Sequence, residues 1–206
     1  MSVRDASPPA GLRSGGMEFF CYHRDRAGSR ALREALNEEH LTYMDRFAGA
    51  MIARGPTTTD GGETLTGSVH VLDLPGPEAA RAFAFDEPNY QAGAYRDVLL
   101  RRWRNVLGRT MWDYPGGPED APRFLVLGLG WRGSGEPLVT APGVRGGLVA
   151  AGPLLSDDGA AVLGAAALVE APGPADARRV LVADDYAEVE VHDWHVGGRP
   201  VVRDDG

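Results

Sequence analysis

The stretch GPTTTDGGETLTGSVHVLDLPGPEAARAFAFDE, Gly55 to Glu87, lies without a gap on GPLLSDDGAAVLGAAALVEAPGPADARRVLVAD, Gly152 to Asp184, when the chain is displaced by 97 positions. Ten of the 33 positions are identical, and most of these are turn formers: Gly55/Gly152, Pro56/Pro153, Asp60/Asp157, Gly67/Gly164 and the Pro-Gly-Pro at 75–77 and 172–174. Turn residues keep their places because backbone geometry requires them, so this shared spacing implies two copies of one fold.

Working outward, MEFFCYH (Met17 to His23) is rich in aromatic residues and reads as a strand. From Ser29, an N-cap residue type, Leu32, Leu36, His40, Tyr43 and Phe47 recur at helical spacing. Ala50 to Arg54 runs into the Gly55-Pro56 break, Asp60-Gly61-Gly62 makes a turn, and LTGSVHVLDL (Leu65 to Leu74) is a further strand. Pro77 suits the first turn of a second helix bearing Ala79, Ala80, Phe83 and Ala84, and Tyr95 to Arg104 closes the unit as a strand. The order β-α-β-β-α-β is the ferredoxin-like split unit of an α+β fold.

The second copy has FLVLGLGW (Phe124 to Trp131) as its first strand, a Gly- and Pro-rich stretch where the first helix should be, and DARRVLVAD as its second helix. Its last strand, EVEVHDWHV (Glu188 to Val196), matches DVLLRRWRN (Asp97 to Asn105) only after the offset falls to 91, so six residues are missing between helix and strand. The chain then divides into a Pro- and Gly-rich tail (1–16), a first repeat (17–107), a linker (108–122) and a second repeat (123–206). Met111, Trp112 and Tyr114 give the linker enough apolar surface to pack.

The 206 residues carry 21 Lys+Arg against 29 Asp+Glu, a net charge of −8 with a pI near 5.1. Such a balance offers no diffuse basic surface to nucleic acid or anionic lipid, which excludes both as partners. Apolar residues at 43% are enough to build a core. The lone Cys21 cannot form a disulfide within the chain, and no apolar run approaches the ~18 residues of a membrane span. With no apolar signal segment in the first 16 residues, the expectation is a cytoplasmic protein. Neither a Walker pattern nor GxGxxG between strand and helix occurs, and the histidine spacings match no metal-ligand motif, so no metal or cofactor is expected.

The first repeat carries His-Leu-x-Tyr (His40, Leu41, Tyr43), then Gly55-Pro56, Asp60-Gly61, Gly67-Ser68 and Glu-Pro-x-Tyr-x-x-Gly (Glu87, Pro88, Tyr90, Gly93). In this order the motifs resemble the YCII-related family. The resemblance implies a dimeric α+β barrel, here a pseudo-dimer closed within one chain, with a pocket between sheet and helices. It also implies a His-Asp pair, which falls on His40 and, with Glu in place of Asp, on Glu87. The equivalent of His40 in the second copy is Pro137, so only the first copy is expected to be competent.

Among the remaining polar residues, strict alternation puts Ser68 and His70 on one face of their strand, either barrel interior or helix side. His70 replaces Ala167 of the other copy. His70, Ser68, His23, Tyr43 and Tyr90 are the substrate-binding candidates. Arg33 reads as a solvated charge on the side away from His40, Cys21 as core, and the recurring Trp103/Trp194 as core in both copies.

The functional expectation is a cofactor-independent enzyme of the lyase or isomerase type. In it His40, assisted by Glu87, moves a proton on a small cyclic, aromatic or polyketide-like molecule. Cofactor-free oxygenation and non-catalytic ligand binding are the alternatives. The chain itself supplies one barrel, and a homodimer of the tandem chain or an exchange of copies between two chains is compatible with it.

Overall fold

The computed structural model describes residues 16–59, 62–117, 121–138 and 147–199. The tail apart from Gly16, the Asp60-Gly61 turn, and parts of the linker and of the Gly- and Pro-rich stretch lie outside these residues. Among the described residues, eight strands and five short α-helices follow in the order β1 (Met17–Asp25), α1 (Arg30–Ala35), α2 (Asn37–Asp45), β2 (Met51–Thr59), β3 (Thr64–Leu74), α3 (Pro77–Phe85), α4 (Pro88–Gln91), β4 (Tyr95–Trp103), β5 (Arg123–Trp131), β6 (Leu148–Leu155), β7 (Val162–Glu170), α5 (Pro174–Ala177) and β8 (Tyr186–Trp194).

All strand pairs are antiparallel, and they close in the order β1-β3-β2-β8-β5-β7-β6-β4. Each half contributes four strands in the same order, β4-β1-β3-β2 and β8-β5-β7-β6. Within a half the ladders are long. The halves meet through short seams, Thr57 and Thr58 opposite Trp194 and Asp193 on one side, Trp103 and Arg102 opposite Leu154 and Leu155 on the other. The displacement of 97 carries Thr57 to Leu154 and that of 91 carries Trp103 to Trp194, so the two seams are the same contact made twice.

The seams show why the glycines and tryptophans recur in the sequence. A Cβ on Gly55 would strike the His195 carbonyl and the Trp194 indole, and a Cβ on Gly152 would strike the Arg104 carbonyl and the Trp103 indole. Each tryptophan lies against a bare glycine of the other half and is buried to within a few per cent. Beyond the seams, Gly197 donates its N–H to Arg54 O (3.2 Å) just as Val106 donates to Ala151 O (3.0 Å). The enclosed space is filled by Phe20, Tyr22, Val69 and Val71 from one half and Leu125, Leu127, Ala166 and Leu168 from the other. Burial of this kind stabilises by about 1.5–3 kcal/mol for each large side chain.

Three sequence expectations need correction. The first helix is interrupted at Leu36, and Ser29 makes no side-chain cap because its backbone is helical (φ −77°, ψ −2°) where an N-cap needs an extended residue. β2 does not stop at Gly55-Pro56. The Pro56 carbonyl faces β8, accepting from His195 N at 3.1 Å, so the missing N–H lies on that side too and removes nothing from the β2–β3 ladder. In the second half, DARRVLVAD makes only the end of the four-residue α5, a 3-10 turn at Arg178–Val180 and the start of another at Ala183–Asp185. With β8 starting at Tyr186 and β-branched Val180 and Val182 in the way, a longer helix has neither room nor propensity. Met111 of the linker is buried, and Trp112 and Tyr114 pack against the barrel interior.

If the seams hold the two halves together, Gly152→Val should destabilise by about 2–3 kcal/mol through overpacking, read as a lower midpoint of urea unfolding. The same change at half-buried Gly173, where a Cβ meets nothing within 4 Å, should cost far less.

Candidate functional site

The candidate site residues of the first half lie on the outside of the barrel. β3 turns Val69 and Val71 inward and Ser68 and His70 toward the helices, which decides between the two faces that alternation allows. There the sheet, the α1–α2 pair and the segment after β8 enclose a cavity of about 320 Å³, at the small end of ligand-binding volumes.

The helices contribute Arg33, Asn37, His40, Leu41 and Met44 to its wall. Seven residues separate Arg33 from His40, nearly two full turns, so both look the same way. Arg33 is therefore not the solvated charge expected of it. Its side chain is about nine-tenths buried, Nη1 donates to both oxygens of Asp25 at 2.9 Å, and Nη2 donates to Ser68 Oγ at 2.7 Å.

His40 and Glu87 meet as the motif implied. The Nδ1–Oε1 distance is 2.6 Å. A carboxylate can only accept, so Nδ1 carries the proton, and Nε2 of the neutral ring is left as a lone-pair base. Glu87 is completely buried as the N-cap of α4, where Pro88 occupies the first helical position. Its Oε2 accepts from Tyr90 N at 2.8 Å, and its Oε1 also accepts from Asn89 Nδ2 at 3.1 Å. Burial raises the carboxyl pKa, but the hydrogen bond and charge of His40 and the local N–H donors outweigh it and hold Glu87 below the ordinary value. The extra methylene of Glu over Asp is taken up by this cap.

Behind His40 stand two more histidines. The His70 ring is 6.1 Å from that of His40 and 6.0 Å from that of His23. Burial, followed by the neighbouring His23, His40, Arg54 and Arg33 charges, holds His70 well below the usual imidazole range, and burial likewise lowers His23. Both stay neutral. His23 does not line the cavity. Its Nε2 donates to Ala84 O at 2.8 Å, which leaves Nδ1 to face the Cys21 thiol at 3.6 Å. Burial pushes that thiol far up, so Cys21 is an inert core residue. Of the three histidines only His40 has a carboxylate partner.

Two other candidates are placed away from the cavity. The Tyr43 phenol donates to the Ala82 and Phe83 carbonyls inside the helix layer. Tyr90 packs its ring on Phe85, is 37% exposed, and serves the site only through its backbone N–H. Periodicity could not tell a tyrosine at the helix–helix contact from one at the pocket. Missed altogether were Arg54 of β2 and Val196, Gly197 and Gly198, which complete the wall. A signal for Arg54 did exist, since its counterpart 97 positions on is Ala151. The segment after β8 is tied across to α2 by Arg199, whose guanidinium reaches Glu38 Oε1 (2.9 Å) and Asp45 Oδ2 (2.8 Å).

The second half has lost the equivalent face. Strand register sets Gly128 against His23, Ala165 against Ser68 and Ala167 against His70. The Tyr186 ring fills the space above Gly128, its hydroxyl donates to Pro137 O, and Leu138 joins the same apolar cluster. Among the described residues no group of three or more His, Cys, Asp or Glu is placed to hold a metal ion, and no helix is long and apolar enough to cross a membrane.

Residues 17–104 match the model of the YCII-related domain. No curated protein matches the chain. Among solved structures, 5-chloro-2-hydroxyhydroquinone dehydrochlorinase (TftG) from Burkholderia phenoliruptrix AC1100, in complex with 2,5-dihydroxybenzoquinone, is similar over 45% of this chain and 99% of its own, with 25% identity and a TM-score of 0.43. An anthrone oxidase-like protein is similar over 90% of this chain and 93% of its own, with 11% identity and a TM-score of 0.51. A heme-binding protein from Thermus thermophilus is similar over 87% and 91%, with 12% identity and a TM-score of 0.51. At these identities the last two share with this chain only a fold, which here is an α+β fold built on an eight-stranded antiparallel sheet.

Proposed function

We propose that the chain is a tandem pseudo-dimer of YCII-like units whose first copy is a cofactor-independent acid–base enzyme acting on a small cyclic or aromatic molecule. The observation that carries this reading is the His40–Glu87 pair at the wall of a partly apolar cavity, with Nδ1 engaged and Nε2 left for a ligand. Nε2 would take a proton from an acidic C–H or O–H of the substrate. The imidazolium so formed is balanced by Glu87, which stays ionised because its three hydrogen bonds favour the charged form. Returning the proton to another atom of the same ring completes an isomerisation, and giving it to a departing group completes an elimination. His70 and His23, both kept neutral, do not compete for that proton.

Deuterium exchange tests the shared first step whatever the later one. Incubated in D2O with a panel of cyclic 1,3-diketones and hydroxyquinones, the protein should speed wash-in of deuterium at an acidic C–H of one class, followed by NMR. His40→Ala should lower that rate by about 10² to 10⁴-fold with the fold retained. No acceleration with any member, or an undiminished rate in the variant, rejects the proposal. Uptake of oxygen during turnover would transfer the same base to an oxygenase.

A second prediction concerns the ionisation of Glu87. A carboxyl held below its unfolded value contributes stability above that value, here 4.5, and loses it as pH falls through the lower folded value. The stability difference between the wild type and Glu87→Gln, from urea unfolding, should therefore be larger at about pH 6 than at about pH 3.5. A difference that does not change with pH would mean that Glu87 is buried as the neutral acid.

A further inference from the structure

The cavity is lined by basic side chains inside an acidic protein. The chain has eight more acidic than basic side chains, yet among the described residues no Asp or Glu lines the cavity, whereas Arg33, Arg54, His40 and His70 do. The two arginines differ. Arg33 is neutralised by its two-oxygen contact with Asp25. Arg54 donates from Nε to the Gly197 carbonyl at 3.0 Å and stacks its guanidinium over Trp112 at 5.8 Å. Among the described residues it has no carboxylate within ion-pair reach. A guanidinium fixed by neutral groups keeps the rest of its donor fork for an external acceptor, and planar oxyanions fit that fork.

Repeat symmetry sharpens the point. The backbone bond from Gly197 to Arg54 has its twin in that from Val106 to Ala151, so the seam alone does not require an arginine. The arginine stands only at the seam beside the His40–Glu87 pair. Gly198, with a positive φ of 146°, gives it room, because a Cβ there would collide with the Arg54 guanidinium. The charge is thus set into the cavity by the terminal segment of the second half.

We propose that Arg54 is the anion-binding residue of this cavity, and that the substrate is a small ring bearing a delocalised oxyanion, a carboxylate or an acidic enolate or phenolate. The assignment rests on the acid–base reading of the site and names its substrate class. Arg54 would hold the oxyanion while Leu41, Met44, Leu65 and Val196 cover the ring, which presents the remaining edge to His40.

Benzoate and benzamide, nearly equal in shape and unlike in charge, are the probes, with binding followed by calorimetry and by the Arg54 Nε–H signal in NMR. Benzoate should bind at least about tenfold more tightly than benzamide and shift that signal. The preference should fall to near unity in Arg54→Met and persist in His40→Gln. Gly198→Val, which keeps the arginine but displaces it, should weaken benzoate alone, and it decides the matter if Arg54→Met does not fold. Equal binding of the two probes, no benzoate binding at about 10 mM, or a preference that survives both variants overturns the proposal. A lost preference with His40-dependent deuterium exchange intact removes the role of Arg54 alone. A charge preference without exchange removes the catalytic reading alone.

Discussion

Everything in this molecule depends on two sheets covering each other's apolar faces. Neither half could remain folded in water with Phe20, Tyr22, Val69 and Val71, or Leu125, Leu127, Ala166 and Leu168, uncovered. The seams that bring the sheets together are only two residue pairs wide, so close approach has to be secured by side-chain shape. A tryptophan against a glycine does this on both sides, filling the corner that a bare ladder would leave open. With the interior filled mainly by apolar side chains, the His40–Glu87 pair and its cavity lie on the outer face under the helices.

That outer face is where the halves part company. In the first half, Arg33, Ser68, His70, His23 and Glu87 are all buried polar groups, which is unfavourable unless partners are supplied. Most partners come from close by: Asp25 for Arg33, Ala84 for His23, the α4 cap for Glu87. In the second half the strand positions of His23, Ser68 and His70 are glycine and alanine, and Tyr186 and Leu138 pack beside them. One half keeps a demanding polar layer beside a cavity, while the other has the simpler apolar solution. A layer whose only effect was stability would have no reason to be preserved in one copy and relinquished in the other.

Much of the fold was legible because its determinants are local or repeated. Turn residues at constant spacing pointed to a repeat, and alternation and helical spacing located six of the eight strands and the α3 helix. His40 and Glu87 came from motif order rather than from periodicity, which cannot tell a buried imidazole from a catalytic one. What escaped depends on contacts distant in sequence. Arg54 and Gly197 are 143 residues apart, and nothing in either neighbourhood announces the other. Arg33 was misplaced for a simpler reason, a helical-wheel angle, since a seven-residue spacing returns to the same face. The shortness of α5 reflects a deletion whose effect on geometry appears only once β8 is in register with β5.

The segment from His195 to Arg199 leaves β8, passes the cavity and is fastened to α2 by exposed ion pairs. It makes the two copies unequal under mutation. The helix side of the second half can drift freely as long as it stays apolar, but the last few residues after its final strand answer to the first half's site. On the tandem reading proposed above, the part of the second copy under the tightest constraint is a handful of residues at its edge. Relatives of this chain should accordingly vary most between β5 and β6 and least where β8 gives way to the loop that covers His40.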